Sequence, residues 1–167
     1  MNLSQQLSNQ VHDIYFGKNW TATNFKETLQ DVTLEQALTS VYDLNSIAAL
    51  VHHINYYITL QLRVLNGGPL EGSDKVSFLH PKFETEEEWN NYLKGIMEQA
   101  LVFSEILAKF PNDQMEEAFG GSKYGSYYKN INGMIEHVYY HFGQIVIIKK
   151  IIHSKMSVIT GKIEEDV

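Results

Sequence analysis

Apolar residues recur at steps of three and four along most of this chain, and that spacing predicts helices rather than strands. The first long run covers residues 3–15. The second covers residues 45–64, and either Asn45 or Ser46 is expected to cap its start. No series of alternating apolar and polar residues indicates a sheet, so the pattern predicts an all-α protein.

Two further long helices are expected in the second half of the chain. The third opens at Thr85, which has the spacing of a capping box with Glu88, and ends before Pro111. The fourth covers residues 126–154. Each of these runs has one apolar face, which a helix in a bundle buries against its neighbours.

Shorter helices and one long connection separate these elements. Thr23 or Asn24, and then Thr33, are expected to begin two short helices, and the sequence DQMEEAF at 113–119 predicts another. Residues 67–84 contain three glycines and two prolines, and they form a connection longer than most helix–helix links. A connection of this length can cross over a bundle or cover a site.

Four long helices predict a four-helix bundle with a long crossover connection. A length of 167 residues fits one domain. We expect that domain to cover residues 1–155 and a C-terminal tail to cover residues 156–167.

Composition narrows the possible functions. The chain has no cysteine, so any transition metal must be bound by His, Asp or Glu. The formal net charge of −7 disfavours nucleic acid as a partner. The lysine cluster Lys149, Lys150 and Lys155 instead suits the negative end of the fourth helix. No apolar stretch reaches the ~20 residues of a membrane helix and no signal peptide is recognisable, so we expect a cytoplasmic protein without a membrane partner.

Two histidines of the fourth helix, His137 and His141, are four residues apart and therefore lie on one face. Their neighbours on that face are mostly apolar or uncharged, so the pair is expected to point into the bundle. Two buried imidazoles need partners, and a single metal ion would satisfy both. A zinc-protease helix carries a Glu after its first histidine, but this chain has Val138 there, which disfavours that mechanism.

The second helix carries two adjacent histidines, which must face about 100° apart. The face through His53 is apolar and the face through His52 is polar, so His53 is expected in the core and His52 on the surface. His53, His137 and His141 would then form an open three-histidine site for zinc, nickel, iron or manganese. The alternative is a set of core histidines that are hydrogen-bonded to tyrosines or to the backbone.

The two histidine segments resemble the DinB-like superfamily, which includes bacterial metal-dependent thiol transferases of the bacillithiol and mycothiol type. The segments are NSIAALVHHINYYI at 45–58 and IEHVYYHFGQIVIIKK at 135–150. The stretches GGPLEGSDKVSF at 67–78 and YGSYYKNINGMIEH at 124–137 also look like an uncharacterised branch of it, and the resemblance covers nearly the whole chain. It implies a four-helix bundle, often a homodimer, in which a histidine triad (here His53, His137 and His141) binds zinc or nickel with water.

Two functions remain open at this point. The first is a metal-dependent transferase of a low-molecular-weight thiol, or a hydrolase, that acts on a small-molecule substrate. Tyr57, Tyr140 and Gln144 are candidates to orient the ligands or position that substrate. No catalytic residue is assigned, and Asp43 and Glu136 are candidate bases only because they are close in sequence. The second function is a non-enzymatic, dimeric, stress-related module that binds a metal or a small ligand.

Overall fold

The computed structural model describes residues 1–159, and the side chains of residues 1–154. These residues form helices and turns, with no strand among them, which confirms the all-α prediction. The α-helices are α1 (Leu3–Tyr15), α2 (Phe25–Leu29), α3 (Leu34–Leu38), α4 (Ile47–Leu65), α5 (Glu86–Lys109) and α6 (Tyr127–Ile159). None of the helices within this range combines the length and hydropathy that a membrane span requires.

Capping side chains determine where the helices start. Asn24, Thr33, Ser46 and Thr85 each accept a hydrogen bond from the backbone N–H three residues further on. Thr85 and Glu88 form the predicted capping box. Because each cap satisfies a backbone donor that the helix itself leaves unpaired, a single polar residue sets the boundary.

The sequence at 113–119 does not form the predicted α-helix. It contains a 3₁₀ turn, Asn112–Gln114, followed by turns. The backbone oxygens of Met115 and Glu117 accept hydrogen bonds from the N–H groups of Tyr128 and Tyr127, at 2.9 and 3.0 Å. These carbonyls therefore pair with the start of α6 instead of with N–H groups of a helix of their own.

Helix α6 extends beyond the predicted end of the fourth helix at residue 154. It continues to Ile159, so the first residues of the predicted tail at 156–167 are helical. Residues 160–167 lie outside the described part of the chain.

The four long helices surround one hydrophobic core. Helix α1 packs along α5 and α4 along α6, while α4 also contacts α5 and α1 contacts α6. The short helices close one side, where the ring of Phe25 stacks on Tyr15 and Phe142 at centroid distances of 4.8 Å. Buried Trp89 donates from Nε1 to the backbone oxygen of Val32 at 2.9 Å, which attaches α5 to the segment between α2 and α3.

The polar face of α4 packs against α5, which corrects the prediction that His52 lies on the surface. His52 is partly buried, and its Nδ1 is 2.7 Å from the hydroxyl of Tyr92. On the same face, Gln99 donates to Thr59 Oγ1 at 2.9 Å. A polar helix face can be covered when the neighbouring helix supplies hydrogen-bonding partners, and the sequence of α4 alone does not contain those partners.

The connection between α4 and α5 runs back along α4. The N–H of Ser73 donates to the hydroxyl of Tyr56 at 2.6 Å. Gly72 lies so close to α4 that a Cβ at this position would be 2.5 Å from Leu60 Cδ1. This path brings residues 74–78 to the side of α4 that carries the core histidine.

Candidate metal centre

Three imidazoles from two helices converge where α4 meets α6. His53 projects from α4, and His137 and His141 project from α6. One candidate ligand atom from each residue lies within 4.8 Å of the other two. The Nε2 atoms of His53 and His137 are 3.1 Å apart. The structure therefore brings together the three histidines that the helix faces indicated.

The site is buried on one side and open on the other. His53 is 4% exposed and His141 is 8% exposed, whereas His137 is only half-buried. The spacing of four residues puts His137 and His141 one turn apart on the same face of α6. An approaching molecule therefore meets the cluster from the side of His137.

Ser77 determines which nitrogen of His53 carries the proton. The Ser77 hydroxyl donates to the backbone oxygen of Asp74 at 2.8 Å, so its oxygen accepts from Nδ1 of His53 at 2.9 Å. Nδ1 is therefore protonated, and Nε2 presents its lone pair to the other imidazoles. Metal-binding histidines are commonly oriented by a hydrogen bond of this kind on the remote nitrogen.

Gln144 has the same role for His141. Its Oε1 lies 2.7 Å from Nδ1 of His141. An amide oxygen can only accept a hydrogen bond, so Nδ1 is the donor and Nε2 is left with a lone pair. Of the three residues predicted to orient ligands or substrate, Gln144 is the one for which the structure gives a hydrogen bond to a histidine of the cluster.

Burial keeps His53 and His137 neutral. Removal from water, and then the neighbouring imidazoles, lower the pKa of both His53 and His137 to about 4. The carboxylate of Asp74 acts in the opposite direction, but more weakly. Both imidazoles are therefore unprotonated at neutral pH, which is the state that binds a metal.

Tyr57 connects the cluster to an acidic side chain. Its ring meets His53 and His137 edge-on, at centroid distances of 5.1 and 5.0 Å. Its hydroxyl donates to Asp74 Oδ1 at 2.8 Å. Burial, and then this hydrogen bond, raise the pKa of Tyr57 to about 12, so the hydroxyl remains a donor at neutral pH.

Tyr140 lies at the rim of the site. Its ring contacts that of His141 at a centroid distance of 4.8 Å, but the residue is 66% exposed. A step of three residues from His137 rotates a side chain about 60° around the helix, which is enough to take it out of the interface with α4. The structure therefore places Tyr140 beside the cluster and largely in solvent.

The connection supplies contacts that sequence reasoning missed. Phe78 stacks on His53 with ring centroids 3.7 Å apart and an interplanar angle of 9°. Ser77 is fully buried, and Asp74 receives the Tyr57 hydroxyl. The only sequence signal was the unusual length of residues 67–84, which indicated a covering segment without identifying the residues involved.

The two acids suggested by their sequence position are both exposed. Glu136 accepts a hydrogen bond from Asn132 at 2.8 Å. Asp43 lines a separate cavity of about 310 Å³, which Gln144 also borders. The carboxylate of Asp74 lies beside the cluster instead, since it accepts a hydrogen bond from Tyr57, whose ring contacts His53 and His137.

The residues present fit a divalent transition metal. Tetrahedral coordination with metal–nitrogen bonds of about 2.0–2.1 Å separates the ligand atoms by about 3.3–3.4 Å. The observed separation of 3.1 Å between two of the nitrogens is close to that value. The cluster of His53, His137 and His141 could therefore hold a metal ion. Three protein ligands would leave a coordination position for water or a substrate.

Comparison of the chain with known protein families, with curated proteins and with solved structures gives no match. Fold and site therefore define the class of this protein by themselves. It is an all-α protein with a cluster of three histidines that could hold a metal ion.

Proposed function

We propose that this protein is a metal-binding member of the DinB-like superfamily, a four-helix bundle with zinc or nickel at His53, His137 and His141. The convergence of the three imidazoles is the observation that carries the proposal. The hydrogen bonds of Ser77 and Gln144 support it, because they direct two lone pairs towards a common point. Neutral imidazoles without thiolate ligands suit both zinc and nickel.

The mutual packing of the four long helices supports the bundle. The path of the connection along α4 supports the crossover, since its backbone is hydrogen-bonded to Tyr56 of that helix. The same path puts Ser77 and Phe78 against His53. The connection thus covers one wall of the metal centre.

The reaction is transfer of a low-molecular-weight thiol to an electrophile. A metal ion with an open position lowers the pKa of a thiol or water that binds there, so the anion is available at neutral pH. The chain contains no cysteine, so the thiol belongs to the substrate. The thiol proton passes to solvent, the sulfur forms the new bond to carbon, and the leaving group departs with its electron pair. With water in place of the thiol, the same position suits hydrolysis of an amide or ester.

A non-enzymatic dimeric module is the second candidate function, and exposed apolar side chains favour it. Trp20 is fully exposed, Tyr140 is 66% exposed and Ile147 is 58% exposed. Aromatic residues of this kind are enriched at protein interfaces. We expect a homodimer in either case, and analytical ultracentrifugation measures it.

Metal content tests the site. Elemental analysis of the purified protein is expected to find about one zinc or nickel ion per chain, and the ion should be lost in His53→Ala and His137→Ala. Glu136→Ala is the matched control, because Glu136 adjoins His137 on α6 and is exposed. Metal content that is the same in both histidine variants as in the wild type would overturn the site.

Turnover tests the reaction separately. The protein is assayed with bacillithiol, mycothiol, glutathione and cysteine against a fluorogenic electrophile, before and after treatment with a chelator. Conjugation that requires the metal and is lost in His141→Ala supports the transferase. A bound metal without turnover of any of these thiols, or of amide and ester substrates, favours the binding module.

A further inference from the structure

A cavity of about 310 Å³ is formed by α6, by the start of α4 and by the segment that leads into α4. Gln144 borders this cavity, and the same side chain accepts the hydrogen bond from His141 Nδ1. Small-molecule sites in proteins usually measure about 300–1,000 Å³, so the cavity is large enough for a small ligand. Gln144 is therefore shared by the cavity and the candidate metal centre.

Apolar side chains form most of the wall of this cavity. Leu50 and Ile148 are buried, whereas Leu44 and Ile147 are exposed, so the apolar wall extends from the core to the surface. Binding sites for small molecules typically combine such a wall with a few polar groups that orient the ligand. A ligand of this cavity is therefore expected to have an apolar body.

The side-chain nitrogen of Gln144 is an available donor in this wall. Because Oε1 accepts from His141 Nδ1 at 2.7 Å, the orientation of the amide is determined, and Nε2 is the other branch of the same group. No residue in the described part of the chain accepts a hydrogen bond from Nε2, and this atom retains accessible surface. Nε2 is therefore free to donate to an acceptor atom of a ligand.

Charge in the wall disfavours an ionic ligand. Asp43 is the charged residue among those described in the wall, and no lysine, arginine or histidine accompanies it. An anion would therefore meet a like charge without a compensating cation. A cation would gain little, because Asp43 is exposed and ion pairs in solvent contribute little. The wall thus favours a neutral molecule.

We propose that this cavity binds a neutral molecule with an apolar body and a carbonyl oxygen, and that this oxygen accepts a hydrogen bond from Gln144 Nε2. Leu50, Ile147 and Ile148 pack against the apolar body. That the molecule is the electrophile of the thiol transfer rests on the proposed function, because only the metal-bound thiol gives it a reaction partner. Binding in the cavity itself needs no metal.

Nuclear magnetic resonance titration tests this with acetophenone and α-methylstyrene, which has a methylene group in place of the carbonyl oxygen. In the wild-type protein after chelation, the methyl resonances of Leu50 and Ile148 should shift with both probes. Acetophenone should bind about fivefold more tightly, as expected for one hydrogen bond. The side-chain amide protons of Gln144 should shift downfield with acetophenone only. Equal affinity for the two probes, or methyl resonances that respond to neither, would overturn the proposal.

Gln144→Glu tests the donor directly. A carboxylate still accepts from His141 Nδ1 but donates no hydrogen bond, so this variant should lose the preference for acetophenone over α-methylstyrene. Gln10→Glu is the control, since it makes the same change at an exposed position of α1 outside the cavity wall. A preference that persists in Gln144→Glu would show that Nε2 does not bind the carbonyl oxygen.

Ile147 distinguishes a ligand site from a surface that a second copy of the chain covers. Ile147→Ser should weaken the binding of both probes about threefold, because apolar contact area is lost. Val102→Ser, at another exposed apolar position on α5, should not. If Ile147→Ser instead converts a dimer to a monomer in analytical ultracentrifugation and leaves probe affinity unchanged, the surface is an interface and the proposal is wrong.

The His53→Ala variant separates this proposal from the metal function. Acetophenone affinity is expected to persist in that variant, because His53 does not line the cavity. Loss of affinity there would mean that the probe binds at the histidine cluster, and the cavity proposal would be wrong. Persistent acetophenone binding in a protein that contains no metal would instead overturn the proposed function alone.

Discussion

Two adjacent histidines of α4 occupy different environments. His52 faces α5, where its Nδ1 is 2.7 Å from the hydroxyl of Tyr92. His53 faces α6, where its Nδ1 is 2.9 Å from Ser77 and its Nε2 is 3.1 Å from His137. Burial lowers the pKa of both, to about 4 for His53.

The two histidines differ in what surrounds Nε2. Each histidine uses Nδ1 for one hydrogen bond to a hydroxyl-bearing side chain, so burial and a polar partner do not distinguish them. The Nε2 of His53 points to other imidazoles, whereas His52 belongs to no described group of ligands that could hold an ion. Convergence of several donors, rather than the environment of one residue, therefore identifies a metal centre.

The largest expected effect separates the two histidines directly. His53→Ala should weaken zinc binding by more than about 100-fold, because removal of a ligand exceeds the 10–100-fold effect typical of supporting residues. His52→Ala should leave the affinity unchanged. Competition with a chromophoric zinc chelator measures both, and a similar loss in the two variants would contradict the assignment of ligands.

Loss of the hydrogen bond that orients His53 should have a smaller effect. Ser77→Ala is expected to weaken zinc binding by about 10–100-fold, because Nδ1 loses the acceptor that holds the ring and its tautomer. Ser73→Ala, in the same connection but exposed, is the control. If both variants bind zinc like the wild type in the same competition assay, Ser77 does not orient the ligand.

The metal-free protein should lose stability as the pH falls from about 6.5 to about 4. The pKa of His53 and of His137 is about 4 in the folded protein and 6.5 ordinarily, so the unfolded chain takes up protons first. The contribution of these two histidines to the free energy of unfolding is therefore fully present above pH 6.5 and is lost as the pH falls towards 4. Urea unfolding at several pH values measures this slope.

The double variant His53→Asn/His137→Asn provides the comparison for that slope. The free energy of unfolding of this variant should decline less steeply between pH 6.5 and 5 than that of the wild type. Part of the decline that remains is due to His52, whose pKa burial also lowers. An identical slope in the variant would show that the cluster does not titrate in this way.

The smallest effect is expected on the α5 side of α4. Tyr92→Phe removes the partner of His52 Nδ1 and should destabilise the protein by about 1 kcal/mol, the usual value for a lost hydrogen bond. Zinc affinity should not change. A change in zinc affinity, measured beside urea unfolding, would mean that the two faces of α4 are coupled.

The helices and the facing of the histidines were readable from the sequence because they depend on local chemistry. Caps at Ser46 and Thr85 satisfy backbone donors only three residues away. The period of 3.6 residues determines which side chains share a face, so His53, His137 and His141 could be grouped before any contact was known.

Only the tertiary structure decided what surrounds that group. Ser77 is 24 residues from His53, and its connection has no periodicity from which a register could be read. Tyr92, 40 residues from His52, covers a polar face that the sequence pattern assigned to solvent. Residues 113–119 form turns instead of the predicted helix, and the carbonyls of Met115 and Glu117 pair with the start of α6. In each case the partner belongs to another element, so the local pattern cannot contain it.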